Sequence, residues 1–325
     1  MLYPWQNRLW DLLRGKLERL PHALLVHGPA GIGKLALAEH FAQHLLCESA
    51  GARSGPCGAC DGCRWFLAGS HPDYRCIEPE SMARRPQAAE APEEAPTGAT
   101  KTAKASIEIK IDQIRALDGF LNLRSHRGRR RVAVVHPAED MNAHAANSLL
   151  KSLEEPQPDA VFVLVSHRPA RLLPTIRSRC VAVPVPMPEG AVVRDWLQDQ
   201  GAGSADAWLA FAAGAPLRAL HYASGPSETL ERMRKALLAR DLDAIGSVGD
   251  REQLEALAEV LQKHALDVAM ASYCGRGRFG GASRSEHGAM WLRYAREMGR
   301  SRMLARHPLN PRLFAGEMIA GMPKG

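Results

Sequence analysis

Two short stretches hold residues whose types and spacing suit chemistry. In the first, Cys47, Cys57, Cys60 and Cys63 crowd together in a chain with only seven cysteines. Two C-x2-C steps turn tightly enough for their thiolates to converge, and the upstream Cys47 can close a tetrahedron. Such four-thiolate sites hold structural zinc. A C-x2-C-x2-C run also begins one iron–sulfur pattern, but that pattern continues x3-C-P, and here RWFLAGS follows Cys63. Reduced free thiols are the remaining alternative. Cys76, Cys180 and Cys274 stand apart and read as ordinary buried thiols.

The second stretch, 28-GPAGIGKLALA-38, has the outline of a phosphate-binding loop. Gly28, Gly31, Gly33 and Lys34 fit the pattern, in which backbone N–H groups cradle phosphates and the lysine reaches the outer ones. The pattern then requires Ser or Thr to hold Mg2+, and Leu35 has no oxygen to offer. An acid is also expected at the end of the next core strand. There the chain reads VAVV-His136-Pro137, with Glu139 and Asp140 coming later. Three readings stay open on these residues: a loop kept for packing, nucleotide binding without turnover, and competent hydrolysis.

The elements that must position these residues are legible in the pattern. Residues 22–27, 131–136, 160–166 and 180–186 are short apolar strands, and helical spacing fills the stretches between them. Alternation of this kind predicts an α/β fold with a parallel sheet covered on both faces. Residues 1–20 read as one amphipathic helix carrying Leu9, Leu12, Leu13 and Leu17, and 107–123 starts strand-like and becomes helical. Residues 79–105, rich in Ala, Pro, Glu and Thr, read as a flexible insertion. Beyond residue 187 strand signals vanish and helical runs take over, among them 228–242, 251–274, 289–306 and 312–322.

A hydrophobic share of 46% with 24% charged residues is an ordinary globular balance, which excludes a low-complexity chain. The net charge of +7 suits a phosphate-bearing partner and equally a basic surface. The basic run at 127–131 reads as a solvated face or as a sequence-independent contact to DNA. The N-terminal residues lack the layout of a signal peptide, and no apolar run is long enough to span a membrane, so a cytoplasmic protein is expected.

At 146-ANSLLKSLEEPQ-157 and 176-IRSRC-180, taken with YPW, HALLVHGPAGIGK, the cysteine knuckle, HPDY and IKIDQIR, the chain resembles bacterial clamp-loader subunits of the AAA+ class. The likeness is dense over 1–185 and looser beyond, where 310-NPRLFAGEM-318 carries it. Leu35, His136 and Pro137 favour the non-hydrolysing delta-prime type of DNA polymerase III over its ATP-hydrolysing relatives. The resemblance implies an AAA+ P-loop domain over 1–186, a small helical lid over 187–226 and a helical collar over 227–325. It implies a place in a hetero-pentameric ring with other clamp-loader subunits, acting on a sliding clamp and primed DNA during replication. It also implies structural zinc, and leaves ATP or ADP binding at Lys34 open.

The family's Ser-Arg-Cys motif falls on Ser178, Arg179 and Cys180. The resemblance makes Arg179 an arginine finger that reaches a neighbour's ATP in trans, an interaction worth on the order of 10³–10⁵ in rate. Arg177 lies close enough to share the role. By the same likeness the helix bearing Lys151 belongs to the DNA-facing part of the ring, and Arg218, in GAPLRAL, falls in a second sensor region; on the residues alone Lys151 reads as a solvated lysine and Arg218 as a helix-surface charge. The alternatives are an ATP-hydrolysing clamp-loader subunit and a stand-alone DNA-binding zinc protein.

Overall fold

The computed structural model describes residues 2–15, 17–49, 55–82, 105–122, 125–126, 130–225, 227–239, 241–279, 284–305 and 309–323. It divides into two units, Met1–Met187 and Pro188–Gly325.

Five parallel strands form the centre of the first unit: β1 (Ala23–His27), β2 (Tyr74–Ile77), β3 (Arg131–Val135), β4 (Ala160–Ser166) and β5 (Val181–Pro184). Their order is β2-β3-β4-β1-β5, so β4 is inserted between the loop strand and β3. This is the arrangement expected of an AAA+ domain. Every residue of β3 and β4 is buried, as befits central strands covered on both faces. The period of two divides β1 between two cores. Ala23 and Leu25 join the cluster under α4 (Ile111–Asn122), α5 (Ala143–Glu154) and α6 (Pro174–Arg179). Leu24 and Val26 join the cluster under α1 (Asn7–Arg14) and α2 (Lys34–Leu46). The remaining helix of this unit, α3 (Asp61–Ala68), carries the cysteine knuckle.

Several local expectations are corrected. Residues 1–20 form no single helix: Pro4–Gln6 make a 3-10 turn, α1 follows, and Leu17–Arg19 turn again. Leu12 is consequently 59% exposed, while Leu13 is buried. The edge strand β2, which sequence patterning does not reveal, pairs with β3, and only Ile109 of the strand-like 107–110 stretch makes a bridge, to Met141. The inserted stretch is anchored at its rims, because Glu80 in a 3-10 turn accepts from Ser106 N (3.0 Å) and from Lys110 Nζ (2.7 Å). Its interior, 83–104, lies outside the described residues.

The second unit is helical among its described residues: α7 (Gly190–Asp199), α8 (Ala205–Phe211), α9 (Pro216–Ser224), α10 (Ser227–Leu238), α11 (Leu242–Gly246), α12 (Arg251–Cys274), α13 (Gly288–Leu304) and α14 (Pro311–Ala320). Asp250 caps α12 by accepting from Gln253 N, and Gly275 ends it in the left-handed conformation. Leu254, Leu257 and Leu261 are buried along it. One polar cluster ties α9, α12 and α13 together. The Glu259 carboxylate lies 2.8 Å from Lys263, 3.0 Å from Arg218 and 3.1 Å from Arg302. Among the described residues no helix is long and apolar enough to cross a membrane.

Candidate functional site

The loop between β1 and α2 sits at the C-terminal edge of the sheet, where parallel α/β sheets bind ligands. Its glycines serve close packing. A Cβ on Gly28 would stand 2.3 Å from the Val185 carbonyl oxygen, and one on left-handed Gly33 would stand 2.5 Å from the Tyr3 ring. The loop's carbonyls are occupied from within the chain. Trp5 Nε1 donates to Ile32 O (3.0 Å) and Gln6 Nε2 to Gly33 O (2.8 Å). Lys34, 2% exposed, folds its ammonium onto Gly28 O (2.7 Å) and Pro29 O (2.5 Å). Burial pushes its pKa down to about 8, against the opposing pull of Glu139. Leu35 is buried in the apolar cluster that includes Trp10 and Leu13, so the metal-ligand position of the pattern has become core.

At the end of β3, His136 Nδ1 lies 3.1 Å from Glu78 Oε1, and the His136 ring stands edge-on to His167. The peptide bond to Pro137 is cis. The turn Ala138–Asp140 brings Glu139 back toward the loop, where Oε1 accepts from His167 N (2.9 Å). Sequence reasoning assigned Glu139 no place in this site; the only signal was its acidity just past a core strand. Burial, then the charge of Lys34, drive His167 to about 4, so the imidazole is neutral at physiological pH. His27 is lowered by burial and then by the charges of Lys34 and Arg177.

The four cysteines meet as predicted: their sulfurs all lie within 4.8 Å of one another. Cys57–Cys63 and Cys47–Cys60 are each 3.9 Å apart. Four Zn–S bonds of about 2.3 Å in a tetrahedron require sulfurs about 3.8 Å apart, so the set fits the ion. Cys47 ends α2 and Cys60 caps α3, fixing the knuckle to the fold at both sides. Backbone N–H groups of Ala59 and Cys60 donate to Cys57 Sγ and push its thiol down to about 6. Burial moves the other way at Cys63, up to about 12, and raises Cys47. The sulfur spacing, with backbone N–H donors aimed at Cys57 Sγ, fits a four-thiolate site for a divalent cation.

Arg179 ends α6. Its guanidinium donates to Glu154 Oε1 (2.5 Å) and to Thr175 O (2.9 Å), and its side chain is 33% exposed. Glu154 belongs to the SLEEP sequence ending α5, so the two motifs that carry the family resemblance meet in space.

With this geometry in hand, the model of the family described as "DNA polymerase III, delta subunit" matches residues 5–189, more than half of the chain. The chain belongs to the DNA polymerase III delta-prime family. The delta-prime subunit of Pseudomonas aeruginosa is 45% identical over 222 residues, covering 67% of this chain and 60% of the relative. That of Escherichia coli is 34% identical over 224 residues, again 67% of this chain and 60% of the relative. The chain thus spans about three-fifths of the length of these relatives. The crystal structure of a DNA polymerase III gamma subunit-related protein from Thermotoga maritima aligns over 96% of this chain and 97% of that one, at 19% identity and a TM-score of 0.48.

Other residues singled out in this delta-prime family member fall in mixed places. Arg131, the last residue of the basic run, faces neither solvent nor DNA. It is 3% exposed, 3.6 Å from the buried Asp73 carboxylate, and stacked over Phe120 at 4.8 Å. Residues 127–129 lie outside the described residues. Lys151 is exposed on α5. Arg218 is bound to Glu259 and Tyr222 within the second unit. Cys274, expected to be buried, is exposed at the end of α12.

Proposed function

We propose that this chain is the non-hydrolysing stator of a replicative clamp loader. It supplies Arg179 in trans to a neighbour's ATP while a hetero-pentameric ring places a sliding clamp on primed DNA in the cytoplasm. The observation that supports this best is the state of its own loop. Lys34 is spent on the Gly28 and Pro29 carbonyls, and Leu35 is core. A residue that reaches phosphate and a hydroxyl that holds Mg2+ are the two functions hydrolysis needs there. ATP or ADP would have to displace Lys34 from both carbonyls before binding.

Arg179 is under no comparable restraint. Its ion pair with Glu154 is partly exposed and so worth about 0.2–1 kcal/mol. The pair lowers the fraction of free guanidinium by about fivefold at most, against the 10³–10⁵ that a finger supplies. The four cysteines hold structural zinc as a rigid appendage with no open coordination position. Residues 187–226 act as the lid and 227–325 as the collar for assembly, and the Glu259 cluster makes the two move together.

The test is the clamp- and DNA-stimulated ATPase of the reconstituted ring, wild type against Arg179→Ala, with assembly checked by gel filtration. A drop of tenfold or more in an intact ring is expected. An unchanged rate removes the finger. Mg-dependent turnover by the purified chain alone would overturn the non-hydrolysing assignment.

A further inference from the structure

The charge of this chain is unevenly placed. Between residues 275 and 312 there are nine arginines, two glutamates, and neither lysine nor aspartate, a local net of +7. The whole chain also carries +7, so the remaining residues sum to zero. These 38 residues hold a dense excess made of guanidinium alone, a second basic stretch besides the run at 127–131.

Five of these arginines stand exposed in two arrays. The first is a turn just past α12. Asp267, 2% exposed, accepts the backbone N–H groups of Arg278 and Phe279, the latter at 2.7 Å. Gly277 presses so close that a Cβ there would meet Asp267 Oδ1 at 2.3 Å. The Gly-Arg-Gly-Arg sequence is thereby held by a buried anchor while Arg276 and Arg278 stay exposed. Arg278 lends one N–H to the Ala213 carbonyl at 3.4 Å. Tyr273, one turn earlier on α12, is 66% exposed and lies against the start of α13, where a Cβ on Gly288 would stand 3.1 Å from its ring.

The second array is the outer side of α13. Trp291, Tyr294, Ala295 and Met298 are buried on one side of this helix. Arg293, Arg296 and Arg300 are exposed on the other, three and seven residues apart from the first, and span about 10 Å of axis. Glu297 is the single acid among them. Among the described residues none of these three arginines makes an ion pair.

We infer that the Gly275–Arg278 turn, Tyr273 and the arginine face of α13 form a binding surface for single-stranded nucleic acid. Guanidiniums in series track a phosphate backbone, and an exposed aromatic side chain gives an unpaired base a stacking surface. An acidic protein segment would satisfy the charge but would have no use for that ring. The surface extends the primed-DNA partnership proposed above, but its test needs only the isolated chain, so failure of the ring or of Arg179 leaves it standing.

The test is fluorescence anisotropy of the full chain with a labelled oligothymidylate of about twenty nucleotides across a salt series. Each single-strand phosphate contact contributes about 0.7 to the slope of log affinity against log salt. The combined variant Arg293→Gln, Arg296→Gln, Arg300→Gln should therefore flatten the slope by about two and weaken binding about a hundredfold near 0.1 M salt. These side chains are exposed, and an unchanged thermal melt confirms that the variant is folded. Tyr273→Ala should weaken binding about fivefold or more with the slope unchanged. The assignment is overturned if the triple variant binds like wild type. It is equally overturned if duplex DNA of the same length binds as tightly, or if polyglutamate of matched charge displaces the oligonucleotide at equal concentration.

Discussion

Replacing Glu259 by Gln removes the one anion from a cluster holding three cations. Burial opposes ionisation of this carboxyl, but Lys263 and Arg302 outweigh it and hold its pKa below the ordinary value. The cost of the substitution is dominated by Lys263. The side chains of Arg218 and Arg302 are 40% and 36% exposed, so water screens them, whereas that of Lys263 is 10% exposed. Breaking a buried pair from one side costs about 3–5 kcal/mol; with two of three cations screened, about 3 kcal/mol is expected.

The chain has two units, so a global melt would mix their transitions. Hydrogen–deuterium exchange of α12 amides reads the second unit alone, and 3 kcal/mol accelerates it about a hundredfold. Lys263→Met is the control. The ammonium lies 3.7 Å from the Phe211 ring centre and 4.4 Å from that of Tyr222, a slot a thioether fills well. That variant leaves Glu259 paired to both arginines and should stay within about 1 kcal/mol of wild type. The pH dependence follows the same logic. A carboxyl with a depressed folded pKa adds stability above its unfolded value, and that stability is lost as pH falls through the folded value. Acidification should therefore reproduce Glu259→Gln in the wild-type chain and change the variant less. Exchange within threefold of wild type in Glu259→Gln would refute the reasoning, as would a Lys263→Met variant just as labile.

Two further outcomes concern the first unit. Purified chain should carry one zinc, read by atomic emission, and Cys60→Ser should lose it while leaving the parallel sheet folded; full zinc in that variant would rule out the four-thiolate site. Lys34 should lose its charge near pH 8 instead of about 10.5, so folding releases a proton between those values and stability rises with pH there. Urea unfolding across that window should show the rise, and Lys34→Met should flatten it; an identical rise in the variant would reject the buried, carbonyl-bound ammonium.

What the sequence makes legible in this protein is chemistry carried by near neighbours. The spacing of Cys57, Cys60 and Cys63, the strand–loop–helix around Lys34, and the run 251–274 each depend on residues a few positions apart, and each is found as read. The likeness in LLKSLEEP and IRSRC is local as well, yet only the fold shows that their Glu154 and Arg179 touch.

Where the reading failed, the deciding partner was distant in sequence. Arg131 looked like part of a solvated basic run because its counter-charge, Asp73, lies far upstream on the approach to an edge strand that patterning did not reveal. Leu12 fits a helical stripe, but the turn at Pro4–Gln6 and the short α1 leave it in water. Glu139 belongs to the loop site only because parallel pairing sets β3 and β4 side by side at one sheet edge, where its carboxylate meets the His167 amide. The sequence by itself determined which residues are candidates for chemistry, since residue type and short spacing set reactivity. Tertiary structure decided which of them are already engaged. The carbonyls that hold Lys34 and the cations that hold Glu259 are brought there by chain folding, and no local pattern encodes them.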